Sequence, residues 1–174
     1  MKYFVKLFVV TFLILICTHA RAEQKVVYID MKYILNNSKA GKGAQDYLKN
    51  TFKKNQEKFS DLEKDLKKEE SNLLENKADF DKEEYKKKTD ALRKKVMEYQ
   101  KIRKEAVDKI AIQRAESRQK LLKAINPILA TYSEENNISL IIDKKNLVMG
   151  NNDLDITNII VEKLNKSLPS LNLK

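Results

Sequence analysis

KAGKGAQDYLKNTFKKNQEKFSDLEKDLKKEESNLLENKADFDKEEYKKKTDALRKKVMEYQKIRKEAVDKIAIQRAESRQKLLKAI, residues 39–125, decides the fold. The stretch has no Pro, and its two Gly, Gly41 and Gly43, stand at its start. Apolar residues recur at alternating steps of four and three: Leu48, Phe52, Phe59, Leu62, Leu66, Leu73 and Phe80, resuming as Tyr85, Leu92, Val96, Tyr99, Ala106 and Ile110. Lys, Glu, Asp, Arg and Gln fill the positions between. A 3.5-residue apolar repeat with charged flanks is the pattern of a coiled coil.

The seam is lost once, over Glu75 to Asp81. Asp81 with Glu84 three residues later forms a capping box, and Phe80 with Tyr85 forms the hydrophobic staple beside it, so a new helix starts there. The sequence therefore predicts two helices of nearly equal length folded back on each other; one continuous rod is the competing reading. A turn centred on Asp79 pairs Leu48 with Ile110, Phe52 with Ala106, Phe59 with Tyr99, Leu62 with Val96, Leu66 with Leu92, and Leu73 with Tyr85. Each helix of about 35 residues would reach about 50 Å.

Upstream of this arm, Met1 to Ala22 reads as an export signal. Lys2 and Lys6 precede an apolar run from Leu7 to Cys17, and Ala20-Arg21-Ala22 fits cleavage after Ala22. The apolar run is short for a membrane span, and Ile16 stands where a lipoprotein signal carries a small residue before the Cys. The expectation is that the mature chain is exported. Cleavage removes the chain's single Cys (Cys17) and single His (His19), which removes thiol and histidine catalysis and ordinary zinc sites. It also removes Lys2, Lys6 and Arg21, leaving 32 basic residues (35 less 3) against 25 acidic, a net charge of +7. That charge points to anionic partners. Export argues against nucleic acid and favours anionic lipid, lipopolysaccharide or acidic client protein; a plain lysine-rich soluble surface is the alternative.

Gln24 to Asp30 reads as a strand, Met31 to Leu35 as a short helix or turn, and Asn36 to Ser38 as a loop in which Ser38 caps the first arm helix. Ala40-Gly41-Lys42-Gly43 lacks the spacing of a phosphate loop; small residues at a crowded helix start are the expectation. After the arm the apolar stripe continues through Leu121, Leu122, Ile125, Ile128, Leu129 and Tyr132, with Pro127 inside it. Either the helix kinks there or Asn126 caps a new one, and a kink where arm meets body is preferred. Ile138 to Asp143 is a second strand, and Leu147-Val148-Met149 is expected as a third. Gly150 to Asp155 is a loop, and Thr157 starts the last helix, with Asp155 as rival cap. Residues 169–174 are expected to fray. Asn151, Asp153, Asp155, Thr157 and Glu162 fall at calcium-loop spacing, but Ile156 replaces the obligatory Gly, so no metal is expected.

The expected domains are thus a signal at 1–22, a discontinuous β-rich body at 23–38 and 126–168, and the hairpin arm at 39–125 with its turn near 76–81. The fold class is mainly α with a small α+β body. The arm is expected to stand away and lend the body little core, and a body of about 55 residues with open strand edges is marginal alone, which predicts oligomerisation.

The export signal, a strand ending in Val-Tyr-Ile-Asp, a long charged helical hairpin, then Ile-Ser-Leu-Ile-Ile-Asp-Lys-Lys-Asn and Asp-Ile-Thr before a closing helix together resemble the Skp/OmpH family of periplasmic chaperones. The resemblance covers nearly the whole mature chain; its body segments are the specific part. It implies a homotrimer whose three arms surround a cavity that holds unfolded outer-membrane proteins without ATP, and therefore neither an enzyme nor a cofactor protein. Lipopolysaccharide binding through basic arm residues is ascribed to the family; none of those positions is carried over to this chain. An adaptor coiled coil of an export or envelope assembly is the alternative, and it would carry a larger β domain.

Polar seam slots at Asn55, Glu69, Asn76, Thr89, Arg103 and Gln113 should let the arm flex. Apolar residues off the pairing seam, Leu74, Met97, Ile102, Val107 and Ile112, are the expected client contacts, with a wider arm core or a neighbouring arm as the alternative reading. Lys86, Lys87, Lys88, Arg93, Lys94 and Lys95 form the expected basic cluster, with Glu83, Glu84 and Asp90 among them.

Overall fold

The computed structural model describes Tyr3 and residues 25–173. The expected export signal and its cleavage site lie outside the described residues, Tyr3 aside. In chain order the elements are β1 (Lys25–Ile29), α1 (Met31–Asn37), α2 (Lys39–Glu75), α3 (Lys82–Glu135), β2 (Ile138–Asp143) and α4 (Thr157–Ser167). Single 3-10 turns occupy Lys77–Asp79, Lys144–Asn146 and Asn152–Leu154.

β1 and β2 pair in parallel, Val26 with Leu140, Val27 with Ile141, Tyr28 with Ile142 and Ile29 with Asp143. Parallel neighbours need a long crossover connection. Here the whole hairpin arm is that crossover. Alternation along β1 sends Val27 and Ile29 into the core, 2% and 3% exposed, while Val26 on the opposite face is 39% exposed. Tyr28 shares that outer face yet is buried, because the loop at Gly150 lies against its ring; a methyl group at Gly150 would stand 2.9 Å from Tyr28 Cε1.

The third strand expected at Leu147-Val148-Met149 does not form. Asp143 caps a 3-10 turn at Lys144–Asn146 by accepting the Lys145 N–H (3.2 Å), which swings the chain away from the sheet. Val148 and Met149 are left fully exposed. The chain regains the sheet at Asp155, which forms a parallel bridge to Tyr28, and Ile156 N donates to the Tyr28 carbonyl (3.0 Å).

One core unites the body. Val27, Ile29, Ile34 and Leu35 meet Ile156, Ile160 and Leu164, and the arm helices contribute Ala40, Leu121 and Ile125. The expectation that the arm lends the body little core is therefore corrected: the roots of α2 and α3 are part of it. Ile125 is fully buried, and Ile128, Leu129 and Tyr132 pack around the cluster. Leu168 packs against the core, and so does Leu171, within the stretch expected to fray.

α3 runs through Pro127 without ending. Proline removes the hydrogen bond to the carbonyl four residues back, that of Lys123. Lys123, Asn126 and Pro127 are all exposed, so water can reach that carbonyl.

Polar ties fix the joints. Ser38, fully buried, caps α2 by accepting the Gly41 N–H (3.2 Å). Asn165 on α4 accepts the Lys39 N–H (2.6 Å), satisfying another of the free donors at the start of that helix. Gly41 is required: a methyl group there would collide with the Leu35 carbonyl, whereas one at Gly43 would meet nothing within 4 Å. Thr157 ties β1 to α4 by accepting the Asp30 N–H (2.8 Å), and Asp155 accepts the Thr157 N–H (2.9 Å); the N-cap position falls on Ile156, between the two expected caps.

Candidate functional site

The arm is built by α2 and by α3 up to its root. At 37 residues, α2 spans about 55 Å. Asp81 starts α3 by accepting the Glu83 and Glu84 N–H groups (2.9 and 2.8 Å). The reciprocal half of the expected capping box is replaced by an ion pair from Glu84 to Lys88 (3.5 Å). Lys88 Nζ also lies 4.7 Å from the centre of the Phe80 ring, holding the turn residue against the new helix.

The two helices pair as the sequence register requires at mid-arm. The Phe59 and Tyr99 rings meet edge to face, with centroids 6.1 Å apart. Leu48 and Ile110, the expected partners nearest the body, are both buried.

Near the root the frame slips. Along α2 the sheltered positions run Ala44, Leu48, Thr51, Asn55, Phe59, Leu62, Leu66, Glu69 and Leu73. Two successive steps of four, from Thr51 to Asn55 to Phe59, make a stutter, which locally unwinds a coiled coil. Thr51 takes the sheltered place expected of Phe52, and Phe52 is 52% exposed. The expected pairing of Phe52 with Ala106 is corrected accordingly.

The polar seam residues are answered locally. Glu69 receives the Lys95 ammonium across the helices at 2.6 and 2.8 Å. The Thr89 hydroxyl donates to the Tyr85 carbonyl (2.8 Å), and the Ser117 hydroxyl to that of Gln113 (2.6 Å). Glu63 accepts hydrogen bonds from Lys67, with an N–O distance of 2.9 Å, and from the Tyr99 hydroxyl (3.4 Å). Lys67, by its hydrogen bond and its charge, holds the Glu63 carboxyl below the ordinary glutamate value, and Glu63 raises Lys67 in turn.

Leu74, Met97, Val107 and Ile112, expected as client contacts, are more than half exposed. Ile102 is half-buried and Arg103, expected in the seam, is exposed; the apolar residue takes the sheltered place beside its charged neighbour. The exposed apolar residues are not gathered into one stripe. Met97 and Val107, ten residues apart, lie on one flank of α3, and Ile102 and Ile112 on the other, as the heptad period dictates. The surface is one of scattered contacts.

Half of the expected basic cluster is neutralised. Lys88 pairs with Glu84, Arg93 with Asp90 (3.4 Å) and Lys95 with Glu69. Lys86, Lys87 and Lys94 have no acidic partner among the described residues.

Two features escaped the sequence reading. A shallow groove of about 510 Å³ opens beside the mid-arm seam, where Leu66, Leu92, Val96 and Tyr99 line it below a rim of Glu63, Lys67 and Arg103. Two helices alone shelter a seam incompletely, and the apolar periodicity that found the seam does not say which side stays open. On the body, Val26 (39%) and Leu140 (53%) stand side by side in register on the outer sheet face. Strand alternation would have found that pair. Among the described residues, no acidic, His or Cys group is gathered to hold a metal ion, and no helix is long and apolar enough to cross a membrane.

Residues 25–164 match the family described as Outer membrane protein (OmpH-like). Among solved structures, the chain is similar to a candidate outer membrane chaperone (OmpH-like) from Caulobacter crescentus CB15. The TM-score is 0.80 at 16% identity, covering 90% of this chain and 93% of that one. At that identity the likeness establishes the fold. Comparison with curated proteins gives no match.

Proposed function

This chain belongs to the OmpH-like outer membrane protein family, and we propose from that premise that it is a periplasmic chaperone. It binds unfolded outer-membrane proteins between helical arms, prevents their aggregation and uses no nucleotide. The observation that carries the reading is the arm itself: a long, charged hairpin whose exposed apolar residues are dispersed. A holdase must release its client, so many weak contacts serve better than one strong site. An apolar side chain partly covered by a mobile client contributes roughly 1 kcal/mol or less. Leu74, Met97, Val107 and Ile112 are such contacts, half-buried Ile102 is a lesser one, and the open groove at Leu66 and Tyr99 adds to them. Lys86, Lys87 and Lys94, without acidic partners among the described residues, speed the encounter with acidic clients, with Lys88, Arg93 and Lys95 beside them.

The functional unit is a homotrimer, exported with its signal removed after Ala22. Support comes from the body. The outer edge of β2 has no strand neighbour among the described residues, and the exposed pair Val26 and Leu140 lies beside it. Val148 and Met149 are exposed apolar residues of the body as well. Unpaired edges and apolar faces of this kind are a liability unless covered, and neighbouring bodies would cover them.

The experiment is capture of an unfolded outer-membrane barrel without nucleotide, comparing the native protein with a Met97→Ser, Val107→Ser, Ile112→Ser variant. Binding is expected to weaken about tenfold, equivalent to about 1.4 kcal/mol, with helix content and assembly unchanged. Undiminished binding would remove these residues from the client surface.

A further inference from the structure

A groove of about 1160 Å³ lies where the arm meets the body, between α1, the roots of α2 and α3, and the turn after β2. Its apolar floor includes Leu35, Leu48 and Leu121. Phe52, displaced from the seam by the stutter, lines it while 52% exposed. An aromatic turned out of the seam toward an open groove is available to a partner.

The rim is cationic. Lys32, Lys49, Arg114 and Arg118 line the groove from three different helices. All four are exposed and none has an acidic partner among the described residues. Lys144 and Lys145 are also present but are engaged by Asp155 (3.7 Å) and Asp143 (3.5 Å). The groove holds three carboxylates. Asp30 caps α1 through the Tyr33 N–H (2.7 Å), Asp143 is held by Lys145, and Asp46 has no partner among the described residues. Among the described residues, four cations without an acidic partner thus face two carboxylates without a cationic one, Asp30 and Asp46. Gln45 Nε2 donates to Asn36 Oδ1 (2.8 Å), leaving the Asn36 amide nitrogen and the Gln45 amide oxygen to bond a peptide backbone.

We propose that this groove binds an extended acidic peptide segment in which Asp or Glu alternates with apolar residues. The charges would meet the guanidinium groups of Arg114 and Arg118, which can hold a carboxylate through two parallel hydrogen bonds, while an apolar side chain would rest on Phe52. Charge complementarity selects an acidic occupant. The volume exceeds the roughly 300–1,000 Å³ of small-molecule pockets, the amide pair suits a polypeptide backbone, and a concave joint between helices is out of reach of a flat bilayer. The source of the segment, an unfolded client, rests on the chaperone reading; the binding itself does not.

The test uses the full mature chain and a fluorescein-labelled eight-residue peptide of alternating Glu and Leu, with a Lys-Leu peptide as control, read by fluorescence anisotropy. The acidic peptide is expected to bind at least tenfold more tightly. Arg114→Gln with Arg118→Gln should weaken it at least tenfold and flatten its salt dependence, and Lys32→Gln with Lys49→Gln, on other helices, should do likewise. Lys101→Gln with Lys104→Gln, exposed on the arm and outside the groove, should leave it unchanged. Circular dichroism checks that each variant is folded. Equal binding by the groove variants overturns the proposal. So does loss of oligomer in sedimentation, which would make the groove a contact between copies, and so does groove-dependent binding of phosphatidylglycerol vesicles without peptide binding. Failure of peptide binding with client protection intact removes this site alone; loss of protection would count against the chaperone reading.

Discussion

The Phe59 and Tyr99 rings cross the arm seam edge to face, with ring planes at 76° and centroids 6.1 Å apart. Such aromatic pairs add about 0.5–1.5 kcal/mol beyond their area burial. They also fix register, because a slip of one heptad would separate the rings by about 10 Å along the axis. Cysteines at 59 and 99 should therefore cross-link within one chain through a short bismaleimide, as should cysteines at 66 and 92. Cross-linking of 59 with 92 or 106 at equal efficiency would show that the helices slide.

Gly41 and Gly43 sit two residues apart but in opposite surroundings. Gly41→Ala forces a methyl group into the Leu35 carbonyl, and such overpacking costs about 1–3 kcal/mol. Gly43→Ala enters open space, where replacing Gly inside a helix stabilises by about 0.5–1 kcal/mol. Urea denaturation should move the two variants in opposite directions. Equal shifts would mean that α1 does not press on the start of α2 as described.

The Glu63–Lys67 pair carries a pH signature. The hydrogen bond and charge of Lys67, and to a lesser degree the Tyr99 hydroxyl, hold Glu63 below its usual value of 4.5. A carboxyl depressed in the folded state contributes stability above its unfolded value and loses it as pH falls through the folded value, so the window lies below about pH 4.5. The pair is exposed, so its effect on melting at neutral pH is slight. An NMR titration should place the Glu63 midpoint below 4.5, and Lys67→Gln should raise it. An unmoved midpoint would show that the pair is not held in solution.

Leu140 stands half-exposed at the open edge of the sheet, beside Val26. Leu140→Lys leaves the monomer core untouched, because the core face of β2 is that of Ile141. In the proposed trimer it buries a charge in the interface. Sedimentation should show trimer for the native chain and monomer for the variant at low micromolar concentration. A native chain that is a folded monomer there would remove the assembly from the account.

Sequence periodicity carried the arm far because a heptad seam, a capping box and a helix N-cap at Ser38 are local patterns. The register at Phe59 and Tyr99 followed from them. The pattern failed at Phe52, where the stutter depends on how α2 enters the body, which no local window contains. It failed again at Val148: three apolar residues read as a strand, but Asp143 closes a 3-10 turn just before them and removes them from the sheet. Arm residues in the body core, Leu121 and Ile125, were visible as an apolar stripe, yet only tertiary packing assigns them to the body. The groove at Arg114 and Arg118 draws on residues more than 80 positions apart, from Lys32 to Arg118, and no spacing rule joins them.

The central claim is that this chain keeps unfolded outer-membrane proteins soluble without nucleotide. Its most direct measurement is light scattering after dilution of a urea-unfolded outer-membrane β-barrel into buffer, with and without the mature protein. Added in modest molar excess and with no ATP, the protein should abolish most of the scattering and hold the client in a soluble complex that co-sediments with it. Scattering that proceeds as fast with the protein as without it, under conditions where the protein is folded and assembled, would contradict the account.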